Sequence, residues 1–279
     1  MINEHNLSII YSGDHSEFRK KNFGATLLDQ ALHSIVSVRN NWSTVVPIYF
    51  THTKALPDYF IKKLADLDVQ TVHSSRYALP DYPLANKINF ATVGVETEYL
   101  LFLDCDTVVH QPLSLDSGAD LLIAYDALSG LGKDEFSNLF NRLHVTFPPG
   151  KFYESPAFEY YYGDHQDIFP AWNSGVFVLR SDLRTHLADC WSQKLLSAFE
   201  YYQTASWAFY LEQASFIVSI FAIELNYEIL PKGYNFICTP RAGYLRQWDR
   251  SNIYIEHYAG DSSVPLRQEY PIGKMMGNK

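Results

Sequence analysis

An α/β fold built on an open, mainly parallel sheet is what the sequence predicts, on three observations. Apolar segments of strand length alternate with segments of helical periodicity through about residue 126, the pattern that right-handed βαβ crossovers produce. The strand segments are short continuous apolar runs, as strands covered on both faces require. Hydrophobic residues make up 47% of the 279 and charged residues 19%. That balance is globular, excludes a disordered or collagen-like chain, and gives a chain of this length enough core to fold without staples.

The elements follow in order. Residues 7–12, LSIIYS, read as a buried strand ending in Gly13 and Asp14. Residues 26–38 place Leu28, Ala31, Leu32, Ile35 and Val38 at helical spacing. A second strand spans 45–51. A helix follows over 57–67, opened by Pro57, a favoured first-turn residue. A brief strand covers 69–72 and a helix 84–95. Residues 99–109, YLLFLDCDTVV, form a strongly apolar strand interrupted by two carboxylates, and 120–125, DLLIAY, form another. The second half is less regular: a helix near 135–143, an aromatic stretch, a strand at 174–179, helices at 183–202 and 209–224, and a last strand at 254–258. No repeat and no Gly/Ser- or Pro-rich linker divides the chain, so a single domain over 1–279 is expected.

Composition removes several function classes. The 22 basic and 31 acidic residues leave a net charge of −9, which repels nucleic-acid phosphates. The three cysteines, Cys105, Cys190 and Cys238, are odd in number and include no CxxC pair. A zinc ribbon or disulfide framework is excluded and a reducing compartment favoured. No two histidines lie at HExxH spacing. The start MINEHN lacks the basic and apolar regions of a signal peptide. The apolar run 214–223 is ten residues long, about half a bilayer span. A cytoplasmic protein without a transmembrane segment is the expectation.

Chemistry concentrates where Leu100-Leu101-Phe102-Leu103 runs into Asp104-Cys105-Asp106. An unpaired charge inside a buried strand costs several kcal/mol, so these aspartates belong where the strand leaves the sheet. The carboxyl ends of parallel strands are where open α/β sheets bind ligands. Two hard oxygen ligands there suit Mg²⁺ or Mn²⁺, whose remaining positions phosphate oxygens can fill. A plain Asx-type turn without metal is the competing reading.

Four further segments accompany this one. Trp172-Asn173-Ser174-Gly175-Val176 enters an apolar strand; Asn173 can bond sugar hydroxyls, and Gly175 permits close backbone approach. Glu212-Gln213 opens the apolar helix. Glu256-His257-Tyr258-Ala259-Gly260 offers an isolated imidazole able to ligate Mn²⁺. Lys87 lies on the helix before the DxD strand. Taken singly, each is equally an ordinary turn, helix or surface residue.

The order DxD, NSGV, EQ, HxxG resembles the nucleotide-sugar glycosyltransferases of GT-A fold, and family 8 in particular. Haloacid-dehalogenase phosphatases share the hydrophobic strand, but their DxDxT spacing fails here because Thr107 directly follows Asp106. The resemblance implies a Rossmann-like, mixed but mostly parallel sheet flanked by helices. It also implies a nucleotide-binding half over 1–126 and an acceptor and sugar half over 127–279. It assigns Asp104, Asp106 and His257 to a Mn²⁺ or Mg²⁺ ion, and Tyr11, Asp14, Lys87, Asp104, Asp126 and Asn173 to the donor. Glu212 and Gln213 become the catalytic pair at the transferred sugar. The implied reaction moves a sugar from a nucleoside diphosphate, UDP-linked, to a glycan or other hydroxyl acceptor with retention of configuration.

Two departures stand out: Glu212 replaces the family's Asp, and the Lys-Pro-Trp after the histidine is missing, leaving Arg267 as a phosphate contact. The eight aromatics at 152–172, Trp172 among them, read as core or as a sugar-stacking acceptor loop. A nucleotidyltransferase on a similar sheet and a non-catalytic sugar-binding relative are the alternatives.

Overall fold

The computed structural model describes residues 1–13, 27–42, 46–75, 79, 82–126, 132–148, 172–205, 207–237 and 252–258. Its strands are β1 (Leu7–Ser12), β2 (Ile48–His52), β3 (Val69–His73), β4 (Tyr99–Leu103), β5 (Thr107–Val109), β6 (Leu121–Tyr125), β7 (Trp172–Arg180), β8 (Tyr227–Ile229), β9 (Phe236–Ile237) and β10 (Ile255–His257). The helices are α1 (Leu27–Asn41), α2 (Asp58–Asp66), α3 (Lys133–Arg142), α4 (Arg184–Tyr202) and α5 (Leu211–Ala222).

Seven strands form the central sheet in the order β3-β2-β1-β4-β7-β6-β8. Every neighbouring pair is parallel except those of β7, which runs antiparallel between β4 and β6. The mixed, mostly parallel sheet expected from the sequence is the one observed. A second sheet, β5-β10-β9, stands at its carboxyl edge, reached through the β4–β5 turn.

Strand pleating divides the core into two layers. Leu100 and Phe102 of β4 join Phe136 of α3, Trp191 of α4 and Phe216 of α5 on one face. Leu101 and Leu103 join Leu28 and Ile35 of α1 and Phe60 of α2 on the other. Each such side chain contributes roughly 1.5–3 kcal/mol on burial. Under the carboxyl end of β4 the rings are clamped tightly: Phe102 stacks on Phe177 of β7 at 5.2 Å, and Phe90 meets Phe177 edge-on at 5.6 Å. This aromatic block fixes β4 against β7, the two strands that carry the polar residues above it.

Three details differ from the sequence expectation. The strand expected over 99–109 is two strands in different sheets, because the chain turns out at Asp104 and Asp106 where carboxylates cannot stay in the core. The helix expected over 84–95 is a 3₁₀ helix, Pro83–Thr92. That winding stacks residues three apart, and it buries the pairs Ala85 with Ile88 and Asn86 with Asn89. The short strands β8 and β9 lie in segments too brief to show a period. No described helix is long and apolar enough to cross a membrane.

His33 of α1 is buried, and burial pushes its pKa down to about 4 from the ordinary 6.5. The unfolded chain takes up this proton near pH 6.5 and the folded chain does not. Stability from this site is therefore complete above pH 6.5 and is lost as pH falls towards 4. Denaturant midpoints measured between pH 7.5 and 4.5 should fall, and the fall should be shallower in His33→Phe; an equal slope in the two proteins would contradict this account.

Candidate active site

The site grows from the end of β4. The Asp104 N–H donates to the Gly175 carbonyl at 2.7 Å, so the β4–β7 ladder runs one residue past the strand. Within the turn Cys105 points inward, its Sγ 3.4 Å from the Ser12 carbonyl, while Asp104 and Asp106 are partly exposed. The turn is also held from below. Thr107 Oγ1 donates to the Asp104 carbonyl at 2.9 Å, Ser34 Oγ lies 2.9 Å from Thr107 Oγ1, and Tyr11 Oη lies 2.9 Å from Ser34 Oγ.

That chain of hydroxyls ends on Tyr11, a residue the resemblance assigned to the donor. Its ring is fully buried between β1 and α1, and burial raises its phenol pKa. It supports the turn from within the core.

His257 arrives from the second sheet. β10 pairs with β5 so that His257 lies opposite Thr107, and the Tyr258 N–H donates to the Asp106 carbonyl at 2.9 Å. The imidazole Nε2 lies 3.2 Å from Asp106 Oδ1 and 3.8 Å from Asp104 Oδ2. Its Nδ1 is 2.9 Å from Asn235 Oδ1, and Asn235 spends its amide N–H on the Tyr125 carbonyl at 2.9 Å. Asn235 Oδ1 is thus an acceptor, Nδ1 carries hydrogen, and Nε2 is the atom turned to the carboxylates. Burial favours the neutral ring, but Asp106 and then Asp104 outweigh it and hold the pKa above its ordinary value.

The ligand atoms of Asp104, Asp106 and His257 all lie within 4.8 Å of one another. A lone pair on Nε2 facing two carboxylates is repulsive unless a proton or a cation sits between them. Two hard oxygens and one imidazole nitrogen fit Mn²⁺ or Mg²⁺.

Lys87 Nζ lies 2.8 Å from Asp104 Oδ2, 3.4 Å from Ser174 Oγ and 3.8 Å from Glu212 Oε2. Glu212 is buried at the start of α5, its N–H donating to Tyr82 Oη at 2.9 Å and its carbonyl accepting from Trp191 Nε1 at 3.0 Å. Burial pushes its carboxyl up to about 7, opposed by Lys87, and its Oε1 has no hydrogen-bond partner among the described residues. Next to it Gln213 Nε2 donates to Asp126 Oδ2 at 2.8 Å and to the Trp172 carbonyl at 2.7 Å. Asn173 Nδ2 also reaches Asp126 Oδ2, at 3.3 Å, while Asn173 Oδ1 accepts the Gly175 N–H at 2.7 Å.

Folding therefore joins Lys87, Asp104, Asp106, Asp126, Asn173, Glu212, Gln213 and His257 into one polar network, although 170 positions separate the first from the last. Asp14, Arg267 and the aromatics from 152 to 169 lie outside the described residues. Trp172 is core: it is fully buried and stacks on Phe221 at 5.6 Å. Sequence reasoning missed Asn235, Ser34 and Thr107. Only strand pairing reveals Asn235, whereas the hydroxyls beside the DxD turn could have been noticed as polar residues in apolar segments.

Gly175 explains why the network is so close. A Cβ at this position would overlap the Asp104 carboxylate. Gly175→Ala should displace that carboxylate and destabilise the fold by about 1–3 kcal/mol, read as a lowered thermal midpoint. An unchanged midpoint together with unchanged Mn²⁺ binding would show that the approach is not required.

Solved structures similar to this chain include glycosyltransferases. GlyE of Streptococcus pneumoniae TIGR4 superposes with a TM-score of 0.54 at 15% identity, over 90% of this chain and 54% of GlyE, so the chain spans about half of that protein. The galactosyltransferase LgtC, solved with donor and acceptor sugar analogues, gives 0.58 at 11% identity over 90% of this chain and 87% of LgtC. Mouse xyloside xylosyltransferase 1 gives 0.51 at 14% identity over 93% and 99%. At these identities the likeness establishes the fold, which is of the GT-A type. No curated protein sequence matches closely enough to count as a relative. The profile of the Rhodobacterales glycosyltransferase domain matches residues 44–223, a stretch that holds the 3₁₀ helix with Lys87, the DxD turn, β7 and the Glu212-Gln213 helix start. The chain belongs to that glycosyltransferase family.

Proposed function

We propose that the protein transfers a sugar from a nucleoside diphosphate sugar, UDP-linked, to an acceptor hydroxyl with retention of configuration, and that Asp104, Asp106 and His257 hold the Mn²⁺ or Mg²⁺ it requires. The observation that carries this reading is the convergence of those three ligand atoms within 4.8 Å beside the polar network described above. Charge supports it. Among the described residues, Asp104, Asp106, Asp126 and Glu212 face one ammonium, Lys87, a charge balance that a further cation would offset for a diphosphate.

When bound, the ion supplies Lewis-acid charge to the diphosphate leaving group. The protein's part is orientation. Lys87 holds Asp104 in place and offsets one negative charge. Asp126, fixed by Gln213 and Asn173, takes the donor-sugar hydroxyls in this reading. Because Gln213 spends its N–H groups on Asp126 and Trp172, its Oε1 is left to face positive charge developing at the anomeric carbon. The three aspartates are tied to Lys87, to His257 and to the two amides.

A panel of nucleotide sugars with Mn²⁺, followed by released nucleoside diphosphate, tests the reading. One donor should be turned over, EDTA should stop the release, and Asp106→Ala should abolish it. Glu212→Gln should bind UDP and Mn²⁺ as the wild type does yet lose turnover by orders of magnitude, each tenfold being about 1.4 kcal/mol of transition-state stabilisation. Full turnover in EDTA, or equal loss of binding and turnover in Glu212→Gln, would contradict these assignments.

A further inference from the structure

A second cavity, of about 640 Å³, lies between α3 and the end of α4. Its size falls within the roughly 300–1,000 Å³ of small-molecule sites. One wall is the exposed face of α3. Glu135, Asn138 and Arg142 line it at spacings of three and four residues, with Asn141 beside them. Neither asparagine side chain hydrogen-bonds to the described residues. Glu135 gives one carboxylate oxygen to the Gly132 N–H and keeps the other.

The opposite wall is aromatic. Tyr201 is 55% exposed. Tyr202 packs on it at 6.4 Å and on Trp207 at 4.8 Å. The Arg142 guanidinium sits over the Tyr201 ring, 5.0 Å from its centroid, and bridges the two walls.

The cavity's position ties it to the transfer site. β7 begins beside Tyr125, at the carboxyl end of β6, and ends beside Tyr99, at the amino end of β4. α4 must then climb back, which brings Tyr201 and Tyr202 to the same edge of the sheet as Asp104. From Trp207 a single 3₁₀ turn, Ala208–Tyr210, leads to Leu211 and Glu212. Tyr82 Oη joins the two places directly, donating to the Phe209 carbonyl at 2.8 Å and accepting the Glu212 N–H at 2.9 Å.

The chemistry of the walls selects the occupant. Glu135 and Arg142 offset each other in charge and His144 adds an imidazole to the lining, so no single sign of charge dominates. Free side-chain amides, one carboxylate oxygen and a guanidinium suit pairs of hydroxyl groups. The half-exposed Tyr201 ring suits the C–H face of a pyranose. We propose that this cleft is a carbohydrate subsite that holds the distal part of an oligosaccharide acceptor while its reacting end lies at the Glu212 edge. The proposal rests on the glycosyl-transfer reading and adds to it the acceptor class, a glycan longer than one sugar.

The test uses the whole chain, fluorescently labelled, on a printed array of microbial, plant and animal oligosaccharides, with UDP and MnCl₂ present. Wild-type protein should bind at least one oligosaccharide. Asn138→Ala/Tyr201→Ala should lose about tenfold or more of that signal, the size expected from one ring contact and one hydrogen bond. Asn141→Ala serves as a milder variant should the double one fail to fold, and its signal should fall as well. Calorimetry with UDP and MnCl₂ should give the same affinity for wild type and variants. No glycan bound by wild type, or equal binding by folded variants, overturns the subsite. Absence of UDP and Mn²⁺ binding in the wild type would instead count against the transfer reading, while the array comparison still judges the cleft.

Discussion

The structure depends on how one buried strand disposes of charge. β4 is wholly buried through Leu103, and the next residue is an aspartate. Leaving that carboxylate in the sheet would cost several kcal/mol. Instead the chain makes one more ladder bond, Asp104 N–H to the Gly175 carbonyl, and turns outward. Everything at the site is arranged around that turn. Gly175 has no side chain because the carboxylate occupies the space one would need. Lys87 and His257 both approach the Oδ2 oxygen of that carboxylate. Below, a line of hydroxyls from Thr107 through Ser34 to Tyr11 ties the turn to α1 and β1.

The surrounding fold supplies stiffness. The aromatic block of Phe90, Phe102 and Phe177 sits under the turn and locks β4 to β7. Since Asn173, Ser174 and Gly175 are the first residues of β7 after Trp172, any slip of these strands would move both halves of the site together. The small second sheet contributes the remaining ligand by register alone: β10 pairs with β5, and β5 is the continuation of the DxD turn. Asn235 then chooses the imidazole nitrogen that faces the carboxylates. Three separate pieces of chain are needed to aim one histidine.

Much of this was legible in the sequence because it is written in strong local contrasts. An apolar run ending in two carboxylates, a glycine at a strand entry and an acid-amide pair opening an apolar helix each stand out against their neighbours. Their order along the chain placed them on one fold. What was not legible depends on distance in sequence. Tyr11 looked like a strand-end ligand, but the helix that covers it decides where its hydroxyl goes. The 84–95 segment has helical composition, yet it winds as a 3₁₀ helix that buries Asn86 and Asn89. Asn235 is indistinguishable from any loop asparagine until β9 and β10 pair.

The central claim is that the β4 turn and β10 build one cation site at the sheet's carboxyl edge. Anomalous diffraction at the manganese edge, from crystals grown with MnCl₂ and UDP, addresses it most directly. The account predicts a single strong peak about 2.0–2.3 Å from carboxylate oxygens of Asp104 and Asp106 and from His257 Nε2. Nucleotide bound with no peak there, or manganese held without His257, would contradict it.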